Sequence, residues 1–173
     1  MWSSRWLAVA TMVTVLGGCG FHPLYGQNAA NRDVPADFSS IAIAPIPDRL
    51  GQELRNDLLD LLTPRGRTTN PVFRLNVSVK EQISELAIDS SGLATRANLR
   101  LDANYSLVKE DTGQSLMTGK SLAVSSYNLV SADFSNLTAQ DDARSRAALR
   151  IAREIRARLG AFFARQRNTA AEG

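Results

Sequence analysis

The chain has 173 residues, a formal net charge of +3, one cysteine and one histidine. This length suits a single domain with one hydrophobic core, while the cysteine and histidine counts exclude disulfide scaffolds and metal sites built from those residues. The small positive charge gives no indication of nucleic-acid binding, although it is compatible with an anionic lipid or a sugar phosphate as ligand.

The first 18 residues have the layout of a secretory signal. Arg5 supplies a positive charge, and the largely apolar stretch 6–16 ends in two glycines. A membrane-spanning helix needs about 20 apolar residues, whereas the sequence after Cys19 turns to Gly, Pro, Asn and Gln. We therefore predict that residues 1–18 are removed as a signal peptide.

Leu16-Gly17-Gly18-Cys19 resembles the lipobox of bacterial lipoproteins, although Gly17 is a less usual occupant of its position. In a lipobox the thiol receives a diacylglyceryl group, the signal is cut before the cysteine, and the new amine is acylated. The alternative is an unpaired exposed thiol, which is a liability in an oxidising compartment. The resemblance predicts a lipid anchor at Cys19, which leaves no free thiol for catalysis.

Residues 19–37 are rich in turn formers and are predicted to be the lipidated N-terminus and a linker. The single histidine, His22, lies in this segment. It has no second histidine or free cysteine near it, so it is interpreted as a linker residue and not as a metal ligand.

The segment 38–166 is predicted to be one domain. Residues 38–45 alternate apolar and small side chains and end at a proline, which predicts a first strand that includes Phe38. Leucines at helical spacing then predict a helix from about 49 to 62, with Asp48 as its N-cap and Pro64 as its stop.

Three further strands are predicted, and together they form an antiparallel meander. Residues 72–79 and 95–108 alternate apolar and polar side chains throughout. Residues 115–128 follow the turn 111–113, and Gly119 and Lys120 are predicted to mark a bulge in this strand.

A last helix is predicted from 139 to 166, with a capping box at Thr138–Asp141 and a flexible tail at 167–173. Apolar residues at helical spacing define one face of this helix, and arginines define the other. The order β-α-β-β-β-α predicts an α+β fold, a two-layer sandwich in which two helices cover one face of a four-stranded, mostly antiparallel sheet. The sequence leaves the strand order open.

No catalytic motif and no cofactor-binding or metal-binding motif is recognisable in the sequence. Carboxylate pairs such as Asp57 with Asp60 and Asp141 with Asp142 fall on predicted exposed helix positions. A non-enzymatic role without a cofactor is therefore predicted, and the covalent lipid on Cys19 is the one expected attachment.

The second face of the predicted sheet is polar, and it is either an ordinary solvated face or a binding surface. It could face another polar environment, such as the water-filled interior of a membrane β-barrel, or it could bind an anionic ligand. Arginine suits phosphate because its planar fork can hold two oxygens at once. The candidate contacts to phosphate on this face are Arg96, Arg100, Lys80 and Lys120.

Short motifs in a fixed order resemble the LPS-assembly lipoprotein LptE family in its alphaproteobacterial form. They are Cys19–Gly26, Ile46–Leu58, Thr95-Arg96, Ser126–Asn128 and Asp142–Ala147. The resemblance implies an outer-membrane lipoprotein that forms a complex with the LPS-transport barrel LptD, sits partly inside it as a plug, and helps deliver lipopolysaccharide to the outer leaflet. It also implies binding of lipopolysaccharide itself.

Two alternatives stay open on the sequence. One is a stand-alone periplasmic lipoprotein adaptor for another envelope machine. The other is an envelope hydrolase that would use Glu81, Glu85 or Asp89 near the end of the second predicted strand. Outer-membrane residence rests on Gly20, which is not the aspartate that retains many enteric lipoproteins in the inner membrane.

Overall fold

The computed structural model describes residues 34–64, 66, 69–88 and 94–171. Within these residues the elements follow one another as α1-β1-α2-β2-β3-β4-α3. The helices are α1 (Val34–Ser39), α2 (Asp48–Leu62) and α3 (Asp133–Ala171). The strands are β1 (Ile41–Ile43), β2 (Phe73–Ile88), β3 (Ala94–Lys109) and β4 (Ser115–Asn128).

The four strands form one sheet in the order β1-β2-β3-β4. Strand β1 pairs in parallel with β2, and β2, β3 and β4 form the predicted antiparallel meander. Helix α2 makes the connection between the two parallel strands, because a parallel pair needs a crossover. The predicted α+β class, with a four-stranded and mostly antiparallel sheet, is confirmed, and the structure adds the strand order.

One face of the sheet packs against α2 and α3 and forms the core. Alternation along the strands places odd-numbered residues of β2 and β3 on this covered face. Small residues of α3, among them Ala143, Ala148 and Ala152, are fully buried and bring that helix close to the sheet. The large side chains with no exposed surface are Leu54, Leu58, Leu75, Leu99, Leu101, Leu107, Ile151, Ile155 and Leu159.

The N-terminal part of the domain differs from the prediction. Phe38 was predicted to lie in a strand, but it lies in α1, and β1 is limited to Ile41–Ile43. The Phe38 ring packs edge-on against Phe163, with 6.3 Å between the ring centroids. A helical conformation at residues 34–39 lets the Phe38 ring reach this contact. The burial of that ring against α3 therefore outweighs the local preference of the sequence for a strand.

Helix α2 agrees with the predicted bounds but not with the predicted cap. Pro47 is the N-cap residue and makes no side-chain hydrogen bond, while Asp48 is the first helical residue and has a φ of 67°. The predicted N-cap role of Asp48 is therefore wrong. At the other end the Thr63 hydroxyl and amide donate to Leu59 O at 3.0 and 2.8 Å, and Pro64 follows as predicted.

Strand β2 is longer than predicted, and the bulge lies elsewhere. Beyond residue 79, β2 continues to Ile88 because its backbone pairs with β3 as far as Ala94. The predicted bulge at Gly119 and Lys120 is wrong, since both residues pair in register with β3. The irregularity in the pairing of β3 with β4 lies instead between Leu107 and Val108 of β3.

Helix α3 begins at Asp133, and the predicted capping box is wrong. Thr138 lies inside the helix, where its hydroxyl donates to Phe134 O. The true start is organised by the Asn136 carboxamide, which bonds both the backbone N–H and the backbone C=O of Val130 at 2.8 Å. The helix continues to Ala171, into the predicted tail, so its 39 residues span about 58 Å.

The domain has two distinct ends. At the proximal end, where the described chain begins, Asp37 of α1 accepts a 2.6 Å bond from Arg167 near the end of α3. At the distal end lie the β2–β3 hairpin and the start of α3, where Leu129 N–H donates to Thr95 O. Helix α3 therefore connects the two ends along the whole sheet.

Two glycines are expected to respond oppositely to alanine. At Gly119 a Cβ would overlap the phenol oxygen of Tyr105, whereas at Gly160 it would lie 3.6 Å from Phe38 Cζ, an ordinary contact. We expect Gly119→Ala to lower the free energy of unfolding by about 1–3 kcal/mol through overpacking. Gly160→Ala should raise it by about 0.5–1 kcal/mol, since alanine is the better helix former. Urea unfolding of both variants measures this; equal effects would contradict the packing at Gly119.

Candidate functional site

The face of the sheet away from the helices is uncovered, and we call it the open face. It is formed by even-numbered side chains of β2, β3 and β4, because side chains alternate between the two faces of a strand. None of these side chains is buried. Among the side chains that the structure describes, the open face consists of Arg74, Asn76, Ser78, Lys80, Gln82, Ser84 and Leu86 of β2, Arg96, Asn98, Arg100, Asp102, Asn104, Ser106 and Val108 of β3, and Thr118, Lys120, Leu122, Val124, Ser126 and Asn128 of β4.

The structure brings three of the four predicted basic residues together. Lys80 lies directly across from Asp102, and Lys120 lies across from Asn104, one row away. Arg100 occupies the next row on β3 towards the distal end. Arg96 is four residues farther along the strand than Arg100, about 13 Å away, so it forms a separate position at the distal end.

Arg100 is already paired on this face. Its Nε and Nη2 each donate to Asp102 at 2.9 Å, forming a bidentate ion pair. The hydrogen bonds from Arg100 lower the pKa of the Asp102 carboxyl, and bonding to Asp102 raises the pKa of the guanidinium. Arg100 would therefore have to leave Asp102, at least in part, to bind phosphate with its fork.

Lys80 and Lys120 are the two ammonium groups of this cluster. Both side chains are exposed, and no ion pair of either is present among the residues the structure describes. Counting Lys80, Arg100 and Lys120 against Asp102, the cluster has a charge of 3 − 1 = +2. Positive charge is therefore available to an anion here, mainly from the two lysines.

A shallow depression lies at the proximal side of the lysine cluster. Its volume is about 440 Å³. The residues that line it on the open face carry amide, hydroxyl or ammonium groups: Asn76, Ser78, Asn104, Ser106, Thr118 and Lys120. Thr118 could not be assigned to this face from the sequence, because the pattern of the fourth strand did not show which of its side chains share a face. The pairing of Gly119 with Tyr105 in the structure places Thr118 on the open face.

Strand β4 adds apolar surface to the open face. Leu122 and Val124 are 47% and 41% exposed, side by side on the edge of a face that is otherwise largely polar. Farther along, at the distal end, Val130, Phe134 and Leu137 are exposed, and Phe134 has 81% of its surface accessible. The chain therefore presents apolar groups beside its charged cluster and beyond the end of its sheet.

Two acidic residues of the hydrolase alternative, Glu81 and Glu85, lie within the described residues, and Glu81 is held in an ion pair. Glu81 accepts two hydrogen bonds from Arg144, at 2.7 and 2.9 Å, and their side chains are 21% and 17% exposed. Hydrogen bonding to Glu81 raises the pKa of Arg144, and Arg144 also pairs with Asp141. Glu81 therefore joins β2 to α3, Glu85 is exposed, and Asp89 lies outside the described residues.

The predicted lipid site at Cys19 and the linker residue His22 also lie outside the described residues. Across the parts of the chain that are described, no group of three or more histidine, cysteine or acidic side chains could hold a metal ion. None of the helices in these same parts combines the length and apolar character that a membrane crossing requires.

Comparison with known proteins identifies relatives of the whole domain. The family model LptE, described as lipopolysaccharide-assembly, matches residues 38–159. A lipoprotein structure from Caulobacter crescentus is 25% identical, with a TM-score of 0.66, over 76% of this chain and 96% of that chain. No curated protein sequence matches the chain.

Two more distant structures share the fold. The minor lipoprotein from Acinetobacter baumannii is 18% identical, with a TM-score of 0.54, over 70% of this chain and 91% of that one. The rare lipoprotein B from Shewanella oneidensis is 12% identical, with a TM-score of 0.55, over 75% and 98% of the two chains.

Proposed function

Because the chain belongs to the LptE family of lipopolysaccharide-assembly proteins, we propose that it is an outer-membrane lipoprotein, anchored through Cys19, that acts as a plug and scaffold for an LptD-type β-barrel. In this role it assists the insertion of lipopolysaccharide into the outer leaflet. It needs no cofactor and catalyses no reaction.

The observation that carries this proposal is the uncovered open face. A two-layer sandwich normally leaves such a face to water, but this one extends over 16-residue strands and combines amide, hydroxyl and charged groups. The interior of a large membrane barrel is also polar. Apart from the exposed Leu86, Leu122 and Val124, the open face is therefore chemically suited to contact the polar lumen of a barrel.

The dimensions of the chain suit a plug that is held from the membrane. Residues 20–33 separate Cys19 from the first described residue, Val34, and a chain of this length reaches about 50 Å when extended. The hydrocarbon core of a bilayer is about 30 Å thick, and α3 alone spans about 58 Å. A domain tethered at the inner leaflet can thus place its distal end inside a barrel.

We assign the phosphate contacts of lipopolysaccharide to the cluster of Lys80, Arg100 and Lys120. The two lysines supply charge without first breaking an ion pair, and Arg100 can add a bidentate contact by exchanging Asp102 for phosphate. Arg96 lies about 13 Å from Arg100 and would meet a second anionic group.

The first test is the isolation of the tagged full-length protein from its own membranes in mild detergent, followed by mass spectrometry. We expect a large β-barrel in near-equimolar amount. Recovery of the protein alone, or with inner-membrane partners, while Cys19 is acylated would contradict the barrel role and favour the stand-alone adaptor.

A photo-reactive residue then locates the contact. Placed at Ser84, which is exposed on the open face in the distal half of β2, it should cross-link to the barrel. The control is the same residue at Gln52, which is exposed on α2 on the other side of the domain. Cross-links from position 52 alone would show that the helix layer, and not the open face, meets the barrel.

A further inference from the structure

Strand β4 forms one edge of the sheet, and part of its backbone is open to a partner. In an antiparallel pair, residues alternate between those bonded to the neighbouring strand and those whose N–H and C=O point away from it. Leu129 N–H donates to Thr95 O of β3, so odd-numbered residues bond inward here. The even-numbered residues Leu122, Val124 and Ser126 therefore point their N–H and C=O groups outward.

An arginine marks where this open stretch ends. Arg158 of α3 donates to Lys120 O at 3.0 Å, so that outward carbonyl already has a partner. Beyond it the edge lacks the usual protection of natural edges, which is charge, proline or a covering segment. Residues 121–128 of β4 contain no charged side chain and no proline. The edge is therefore closed at Lys120 and open from Leu122 towards the distal end.

An added strand would have apolar neighbours on the open face. Leu122 and Val124 are 47% and 41% exposed on that face. Side chains that lie directly opposite each other on paired strands share a face and interact. Apolar partner residues opposite these two would remove their surface from water. The edge therefore favours a segment with apolar side chains at alternate positions.

The helix side of the same edge is lined by α3. Arg146 donates to the Ser125 hydroxyl at 3.3 Å, and the Ser121 hydroxyl donates to Glu154. Arg150 lies four residues from both Arg146 and Glu154, and residues four apart share one face of a helix. Arg150 is therefore placed along the edge, midway between the two serines.

The charge that this side offers to a partner comes mainly from Arg150. Its side chain is exposed, and no salt bridge to it is present anywhere in the described part of the chain. In contrast, Arg146 pairs with Asp142, and Glu154 pairs with Arg158. Because opposite charges on neighbouring strands or layers attract, the helix side favours acidic residues at the positions between the apolar ones.

Two other occupants match this edge poorly. A second copy of the chain, paired through its own β4, would bring the arginines of its α3 against those of the first copy. The chain's own segment 20–33 has a single acidic residue, Asp33, at its last position, and it contains Pro23, which cannot donate to a strand ladder. The matching occupant is therefore an extended segment of a different protein.

We propose that residues 122–126 of β4 are a docking edge for an extended segment of a partner protein in which acidic and apolar side chains alternate. The segment adds a fifth strand to the four-stranded sheet. Its acidic residues lie under α3 near Arg150, and its apolar residues lie beside Leu122 and Val124. The docking edge does not depend on the barrel role, since the chemistry of the segment and not the identity of its carrier defines it.

The probe for this edge is the capped peptide Thr-Val-Glu-Val-Glu-Val-Thr, labelled with a fluorophore. Its sequence reads the same in both directions, so it presents the same alternation whichever way it pairs. Fluorescence anisotropy measures its binding to the mature lipidated protein in an uncharged detergent. We expect binding, and we expect a peptide with Lys in place of Glu to bind about tenfold more weakly. No binding at millimolar concentration, or equal binding of the two peptides, would overturn the proposal.

Reversing the charge at the edge tests the role of α3. Arg150→Glu should weaken binding of the acidic peptide about tenfold and strengthen binding of the lysine peptide, because the partner charges are exchanged. The matched control Arg165→Glu makes the same change at an exposed residue of α3, about 22 Å farther along the helix, and should change neither affinity. Equal effects of the two variants would show that net charge binds the peptide, which contradicts a docking edge.

Hydrogen exchange locates the bound peptide. We expect it to protect the amides of Leu122, Val124 and Ser126, since the amides between them already bond to β3. Protection of odd-numbered amides of β2 instead would place the peptide on the opposite edge and refute the assignment. The assignment also fails if these three amides are protected without peptide: protection at every dilution would indicate the chain's own segment, and protection only at high protein concentration would indicate a second copy.

Discussion

Replacing Lys80 and Lys120 together by glutamine is expected to weaken lipopolysaccharide binding by about tenfold for each lysine removed. Each substitution deletes a charge-assisted hydrogen bond from an exposed ammonium. Binding is measured with lipopolysaccharide and with its dephosphorylated form, which should bind the original protein and the double variant alike. Because the contacts are ionic, the difference should also shrink as salt is raised.

The matched control removes two positive charges from the opposite layer. Arg153→Gln with Arg165→Gln changes exposed residues of α3 and preserves the open face. If this control loses as much affinity as the lysine variant, net charge and not the cluster is responsible. We expect Asp102→Asn to change the affinity in the opposite direction. This substitution releases Arg100 from its bidentate pair, so the affinity for the phosphorylated lipid should rise severalfold.

Replacing Arg144 by methionine is expected to lower the free energy of unfolding by about 2 kcal/mol. The change leaves Glu81, which is 21% exposed, without its bidentate partner between β2 and α3, and an uncompensated, largely buried charge is strongly destabilising. Urea unfolding measures the loss. Arg146→Met is the control, because the Arg146–Asp142 pair is 51% and 65% exposed and such surface pairs contribute about 0–1 kcal/mol.

A second variant separates the ion pair from simple loss of packing. Glu81→Met combined with Arg144→Met removes both charges, and we expect it to recover most of the stability, since apolar replacement of a paired charge is often neutral. A double variant as unstable as Arg144→Met would show that the guanidinium acts through its packing or through Asp141. Normal envelope function of the double variant would also count against a hydrolase that uses Glu81.

The alternating strands and the leucine-rich helix could be predicted because each contains its own periodic signal. Strand β4 has the predicted bounds, and α2 begins within one residue of its prediction. The extension of β2 could not be predicted, since Lys80, Glu81 and Gln82 interrupt the apolar alternation and the strand persists through pairing with β3. The start of α3 was missed because Asn136, and not Thr138, binds the preceding backbone.

The candidate site was predictable in outline but not in detail. Strand alternation was sufficient to place Lys80, Arg96 and Arg100 on one face, because that property is local. The pairing of Arg100 with Asp102 could also be predicted from the sequence, because the two residues are two positions apart and lie on the same face of β3. In contrast, the bond between Glu81 and Arg144 joins residues 63 positions apart, and only the assembled fold brings them together.

The attachment of β1 determines how the sheet responds to tension from the anchor. The strand is parallel to β2, and the two residues that flank it bond the chain at the start of β2. Ser40 O accepts from the amides of Val72 and Phe73, and Ala44 N–H donates to Leu75 O. A pull directed away from the proximal end therefore acts along the strand axis. These hydrogen bonds are then stretched together in shear instead of opening one after another, so the short strand resists as a unit and passes the force to the whole sheet.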